Sequence, residues 1–522
     1  MIAMETVISP NYKRTTGKDV WRENIRSAIF AADKIRSSLG PKGAYKLLSY
    51  NRGPEQVVKV TKDPIAILDE LAIQYPPAVI IAESAKMQRQ EAGDGVATFV
   101  VLLSALLKNA DDLFSKRIHA NTIIHGYFLA QSKALEIMDK QAIIQKSMSN
   151  EVLEIVDCRR GLLKPQLRSM ILEAYAAAWD NGRFDKDYVG FLKKQGGSFQ
   201  ESTLIKGVVI KKEKAHPNMP DKLKDLRIVI TSERPGINRL DVKMKNEGPP
   251  QIRLNIQTAD QMRKYKETED RVRSEALDRI IKLKANVLIC EQPIDESLKD
   301  KLVVNGVFAL EKVDKKDARA VAKATGAKIV AKLDDITQED LGIAEELYTS
   351  RVELEKTVTF QGCKGATFVL RGTTSQTIDE MENAIRNSLT VLKILRDDSR
   401  VLPGGGAAET HIAEELKSYA KGFAGREQVV IEAFGNALMD IPRCLAENYG
   451  LNAIDALIDL KNRHVNGFIN YGINEQTSGE NVCLEPFKVK QSVIRRAYEV
   501  SSMMLRIDEL LISKEIPKFH KK

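Results

Sequence analysis

Apolar residues recur at helical spacing near the start of the chain. Trp21, Ile25, Ala28, Ile29, Ala32 and Ile35 share one face of a 3.6-residue repeat, which predicts an amphipathic helix that ends by Gly40-Pro41. Residues 56–61 (QVVKVT) are few and β-branched, and predict a strand. Phe99, Leu102, Leu103, Leu106, Leu107 and Ala110 predict a second helix, opening just after Gly93-Asp94-Gly95, and a third is expected over 123–138. The middle of the chain changes style. Short apolar runs at 207–210, 228–231, 286–290, 306–310, 328–331 and 367–370 alternate with charged, helix-like segments, the pattern of an α/β domain. Residues 241–275 are strongly polar and broken by Gly248-Pro249-Pro250, as in a solvated excursion. Helical spacing returns at Ile378, Met381, Ile385, Leu389 and Leu392, and continues beyond Pro403-Gly404-Gly405-Gly406. Similar ends around a different middle imply an inserted domain within a discontinuous outer one.

Composition narrows the classes. The 522 residues suggest about two to four domains. Lys and Arg number 80 against 71 Asp and Glu, and the resulting charge of +9 is modest for this length. Without a dense basic block or a basic–aromatic stripe, no nucleic-acid partner is expected. No run approaches the roughly 18 apolar residues of a membrane span. The polar first 18 residues hold no secretory core. Cys158, Cys290, Cys363, Cys444 and Cys483 are scattered, as expected of a reduced cytoplasmic protein without disulfides or zinc.

Three glycine turns carry the candidate chemistry: Leu39-Gly40-Pro41-Lys42-Gly43, Gly93-Asp94-Gly95 and Gly404-Gly405-Gly406. The last two precede helices, where uncovered backbone N–H groups favour phosphate. Asp94 between two glycines could hold Mg²⁺ beside it. Each turn alone reads equally as a tight turn. No P-loop, dinucleotide fingerprint, nucleophile elbow or histidine pair at metal-ligand spacing is present. A metabolic enzyme would need a polar catalytic cluster in the α/β segment, and none is evident.

Taken in order, these turns resemble those of the group II chaperonins, especially archaeal thermosome subunits, from about Arg14 to Leu511. RTTGKDVWRENIRSAIFAADKIRSSLGPKG resembles the family's opening helix and turn. Thr61-Lys62-Asp63-Pro64 matches its T-N-D-G, and Gly93-Asp94-Gly95-Val96-Ala97 its G-D-G-T-T. His216-Pro217-Asn218-Met219-Pro220, Lys323-Ala324-Thr325-Gly326-Ala327, Pro403-Gly404-Gly405-Gly406-Ala407, Leu445-Ala446-Glu447-Asn448, Glu485-Pro486-Phe487-Lys488-Val489-Lys490 and Leu505-Arg506-Ile507-Asp508 follow in family order.

The resemblance implies a multidomain α+β fold. A mainly helical, discontinuous equatorial domain (1–142 and 399–522) would bind ATP and make ring contacts. A small intermediate domain (143–210 and 360–398) would act as the hinge. An α/β apical domain (211–359) would bind unfolded clients and carry a lid protrusion at about 241–275. Sister subunits would complete a stacked, mixed double ring. By the same resemblance Leu39, Gly40, Pro41, Asp94, Gly95, Thr98, Gly404, Gly405, Gly406 and Glu485 would flank the nucleotide, with Asp94 the Mg²⁺ ligand and Asp63 and residue 387 at the catalytic end.

The departures fall at that site. Val96 and Ala97 replace two hydroxyl residues that can donate to phosphate, leaving Thr98. Pro64 replaces a glycine and removes an N–H. Glu382-Asn383-Ala384-Ile385-Arg386-Asn387-Ser388 stands where the family reads E-R-A-L-H-D-A, so Asn387 replaces the acid that orients the attacking water. On its helix Asn387 lies off the apolar stripe, so the residues alone also allow an exposed amide. The expectation is an ATP-dependent folding subunit whose own hydrolysis is weak or absent. The alternative is a structural or regulatory ring subunit without turnover, setting ring composition and client choice.

Overall fold

The computed structural model describes residues 12–16, 18–52, 55–70, 76–144, 165–180, 182–232, 260, 263, 271, 274–275, 277–331, 333–352, 355–474, 478–480 and 483–513. Most of the polar 241–275 segment, and Cys158, lie outside the described residues. The chain divides into two compact units. One is discontinuous, formed by 1–168 and 379–522; the other is the continuous stretch 169–378.

The discontinuous unit is built from helices. From the N-terminal side come α1 (Lys18–Arg36), α2 (Pro64–Glu70), α3 (Pro76–Ala92), α4 (Val96–Ser115) and α5 (Ala120–Gln141). From the C-terminal side come α6 (Ser375–Asp397, which belongs here from Asp379), α7 (Ala407–Ala420), α8 (Arg426–Leu438), α9 (Asp440–Asn448), α10 (Ala453–Val465) and α11 (Phe487–Leu505). From Phe99 to Leu107 helix α4 is buried on every side, and only its last turns present an exposed face, Lys108, Asp111, Asp112 and Ser115. Phe99, Val100, Val101, Leu102, Leu103, Leu106, Leu107 and Ala110 are all buried, so this helix can only sit at the centre. Helices α1, α8 and α11 pack against it. The Tyr127 hydroxyl of α5 donates to Leu106 O at 2.8 Å, and its ring meets Phe434 of α8 edge-on at 5.6 Å. The strand expected at 56–61 runs Glu55–Thr61, paired antiparallel with Lys46–Arg52. Tyr12–Thr16 pairs antiparallel with Glu509–Ser513, tying the two ends of the described chain together.

The continuous unit is an eight-stranded mixed sheet: β1 (Val189–Gln195), β2 (Thr203–Ile210), β3 (Lys222–Thr231), β4 (Val287–Cys290), β5 (Phe308–Leu310), β6 (Ile329–Val330), β7 (Gly342–Val352) and β8 (Glu355–Gly372). The order is β5-β4-β3-β7-β8-β1, with β6 also pairing β3 and β2 pairing β8. Each short apolar run of the middle segment falls on one of these strands. Strands β3, β4 and β5 pair in parallel, as does β6 with β3; helix Glu296–Val304 connects β4 to β5, and helix Lys315–Thr325 connects β5 to β6. The segments that pair in parallel are apolar almost without alternation because both faces are covered: Ile228, Val229, Ile230, Val287, Leu288, Ile289, Phe308, Ala309 and Leu310 are fully buried. No helix among the described residues is long and apolar enough to cross a membrane.

Phe434→Ala should cost about 3–5 kcal/mol of stability, because a fully buried ring leaves a cavity beside Tyr127. Tyr127→Phe should cost about 1 kcal/mol, the value of one net hydrogen bond. Urea unfolding of the two variants checks the ratio; equal costs would mean that the α5–α8 contact does not lie in the core.

Candidate functional site

The three glycine turns converge on one cavity of about 420 Å³ inside the discontinuous unit. Its lining includes Leu39, Gly40, Pro41, Asp63, Asp94, Gly95, Thr98, Asn387, Gly405, Gly406 and Glu485. Of the residues singled out in the sequence, only Gly404 is missing from the wall; its N–H donates to Cys483 O at 2.8 Å, and Cys483 does line it.

Two helices open onto the cavity by their first turns. At α4, Gly95 sits at φ +81° and contributes no side-chain cap. The helical ladder starts at Phe99 N–H to Gly95 O, so the N–H groups of 96, 97 and 98 precede it. At α7, Gly406 at φ +80° plays the same part, and the ladder starts at Thr410. Both positions need glycine twice over. The left-handed backbone disfavours a side chain, and an added Cβ would lie 2.7 Å from Val493 Cγ2 at Gly95 and 2.6 Å from Pro442 Cβ at Gly406. Two uncapped helix starts in one cavity form an anion-binding arrangement.

The first turn, 38–41, is held from behind. Asn448 Nδ2 donates to both Arg36 O and Leu39 O at 2.8 Å. Burial pushes the neighbouring Cys444 thiol up to about 11, and its S–H donates to Arg36 O at 3.1 Å. Asp94 is placed through its backbone: Gln88 Nε2 donates to Asp94 O at 3.0 Å, and Gln88 Oε1 accepts from Ser492 Oγ at 2.8 Å and Arg496 Nε at 3.1 Å. Asp94 Oδ1 accepts the Gly95 N–H at 2.8 Å.

Asn387 is buried in the cavity wall, so the exposed-amide reading fails. It shares the wall with Glu380, Asn383 and Ala384, at spacings of three, four and seven residues along one face of α6. Pro64 opens α2, where its fixed φ suits the first helical position, and Asp63 Oδ1 accepts the Ile65 N–H at 3.2 Å. The Asp63 carboxylate is also forked by Arg89 of α3: Nη1 donates to Oδ2 at 2.9 Å and Nη2 donates to Oδ1.

Several lining residues were not singled out as site residues. Lys490 Nζ lies 2.5 Å from Glu409 Oε1 and 2.7 Å from Glu485 Oε2, all three side chains being largely buried. Glu409 Oε2 is buried with no partner among the described residues, as is Glu380 Oε1. Burial, with some help from Asp63, raises the Glu380 carboxyl above the usual range. Lys490 stands inside the motif at 485–490 with its partner Glu485, and Arg89 four residues before Gly93, but the sequence shows neither the Lys490–Glu409 nor the Arg89–Asp63 pairing.

The match with known proteins covers nearly the whole chain. Residues 32–515 fit the model of the TCP-1/cpn60 chaperonin family. The chain belongs to that family. It is 36% identical to the thermosome subunit of Methanopyrus kandleri over 98% of this chain and 95% of that protein. The same figures hold for thermosome subunit alpha of Archaeoglobus fulgidus, and the thermosome subunit of Pyrococcus abyssi is 36% identical over 98% of this chain and 94% of its own.

The residues of this chaperonin chain fit Mg²⁺ with a polyphosphate better than a bare anion. Five carboxyl groups (Asp63, Asp94, Glu380, Glu409, Glu485) line the cavity against Lys62, Arg89 and Lys490. That acidic excess repels a free phosphate and suits a metal chelate. Among the described residues no group of three or more His, Cys, Asp or Glu could hold a metal on protein ligands alone. Mg²⁺ at Asp94 would complete its shell with phosphate oxygens and water, its usual habit.

Lys490→Met should destabilise the protein by about 3–5 kcal/mol, because it leaves two buried carboxylates without their cation. Adding Glu409→Gln should recover part of that loss. Chemical denaturation of the single and double variants is the check; a neutral single variant would place the ion pair in solvent.

Proposed function

We propose that this chain is a subunit of a double-ring, ATP-dependent chaperonin that encloses unfolded proteins, and that its own ATP hydrolysis is weak or absent. The observation that carries the second half is the pairing of an intact glycine framework with a buried amide at 387. Leu39, Gly40, Pro41, Gly95, Thr98, Gly405 and Gly406 line one cavity with Asp94, which supports nucleotide binding with Mg²⁺ at Asp94. Gly404 supports it through its N–H bond to Cys483 O, and Glu485 from beside Lys490.

Hydrolysis needs more than this frame. The attacking water must lose a proton, and Asn387 has no carboxylate to receive it. Val96 and Ala97, in the first turn of α4, offer N–H groups but no hydroxyls, so the grip on phosphate is looser. Binding is therefore retained in part while turnover falls.

In this reading the equatorial domain is 1–142 with 399–522, the intermediate domain 143–210 with 360–398, and the apical domain 211–359. The ring is mixed, stacked and cytoplasmic, and sister subunits with acidic residues at the matching position supply most of the ATP-driven work. Neither nucleic acid nor membrane takes part.

Purified chain at saturating Mg·ATP should turn over about 10²–10⁴-fold more slowly than an active thermosome subunit, the usual cost of a lost general base. Asn387→Asp with Val96→Thr and Ala97→Thr should raise the rate, since positioning and base catalysis act on one transition state. Turnover equal to that of an active subunit would sink the reading of a slow site and leave the family assignment intact. Co-expression with active sister subunits should carry this chain into rings visible by electron microscopy; a chain that stays monomeric would remove the ring role.

A further inference from the structure

We propose that Arg89 is a positioning residue that locks Asp63, and that this ion pair restrains hydrolysis independently of the amide at 387. The inference rests on the reading of the cavity as a nucleotide site. Each other acid in the wall has a reason not to serve. Asp94 stands at the metal position, fixed by Gln88 and by its own turn. Glu409 and Glu485 share the Lys490 ammonium. Glu380 lies two turns from Asn387 along α6, about 10 Å by the helical rise. Asp63 is the carboxylate left in the same cavity wall as Asn387.

Asp63 is held from three sides. Its N–H donates to Thr61 Oγ1 at 3.0 Å, its Oδ1 takes the Ile65 N–H, and the Arg89 fork takes both oxygens. Both side chains are mostly buried, at 18% and 23% exposure, so solvent screens the pair less than it would at the surface. A two-pronged guanidinium–carboxylate contact is among the strongest available to side chains, and it fixes direction as well as distance. An oxygen already engaged by the fork has fewer lone pairs left to accept a hydrogen bond from the attacking water and orient it. Helix α3 thus governs two acids through consecutive residues: Gln88 sets the backbone of Asp94, and Arg89 holds the side chain of Asp63.

The consequence is that restoring an acid at 387, with hydroxyls at 96 and 97, recovers only part of the lost rate. The rest appears when the fork is removed. The experiment measures kcat and KM for ATP on the purified full-length chain carrying Asn387→Asp, Val96→Thr and Ala97→Thr, with and without Arg89→Gln. The expected result is a kcat about tenfold or more higher with Arg89→Gln, within the range of one general-base contribution, and a KM changed less than about threefold. Arg89→Lys, which keeps the charge and loses the fork, should give a smaller gain. Arg89→Met is the substitute should Arg89→Gln fail to unfold cooperatively in urea. An unchanged kcat with a folded variant overturns the lock. So does a KM raised about tenfold without gain in kcat, which would make Arg89 a phosphate ligand. Fast turnover by the unmodified chain, measured first, would instead remove the reading on which the proposal rests.

Discussion

The cavity depends on one constraint: from Phe99 to Leu107 helix α4 is buried on every side, and its solvated face is confined to Lys108, Asp111, Asp112 and Ser115 near the far end. Such a stretch is stable only with neighbours on every side, and α1, α8 and α11 supply them. Once α4 is fixed at the centre, its first turn is fixed too. The Gly93-Asp94-Gly95 turn then brings three uncapped N–H groups and one carboxylate to the cavity with no freedom to drift. Local sequence and global packing here demand the same geometry, because a side chain at Gly95 would strike Val493 of α11.

The ion pairs do a second job, holding together pieces that are remote in sequence. Lys490 of α11 joins Glu409 of α7 to Glu485, so the two sides of the Gly404–Gly406 turn share one cation. Gln88 reaches Ser492 and Arg496 from α3 while it fixes Asp94. A site built this way is stiff where phosphate and metal would be received. The departures from the family pattern lie at Pro64, Val96, Ala97 and Asn387, all in the same wall.

Much of this was legible in the sequence. The helical stripes at 21–35 and 99–110 and the short apolar runs of the middle segment each became the element expected, because burial on one face or on both leaves a periodic trace. The glycine turns were legible because a positive φ and a close approach admit few other residues. What could not be read was partnership. Nothing near Asp63 in sequence announces Arg89, 26 positions away, and nothing near Lys490 announces Glu409, 81 positions away. Asn387 was open to two readings because a stripe identifies the core face of a helix but not a second buried face that borders a cavity.

The pairing of Tyr12–Thr16 with Glu509–Ser513 has a consequence for how the molecule is made. A ribosome delivers the chain from one end, and domains fold as units as they emerge. The stretch 169–378 has its own core and is complete well before synthesis ends. The outer unit cannot close then. Helices α1 and α4 must wait for α8 and α11, and the strand Tyr12–Thr16 for Glu509–Ser513. During that interval the apolar stretch of α4 is only partly covered, so a protein of this fold is itself, while being synthesised, a chain with exposed hydrophobic surface.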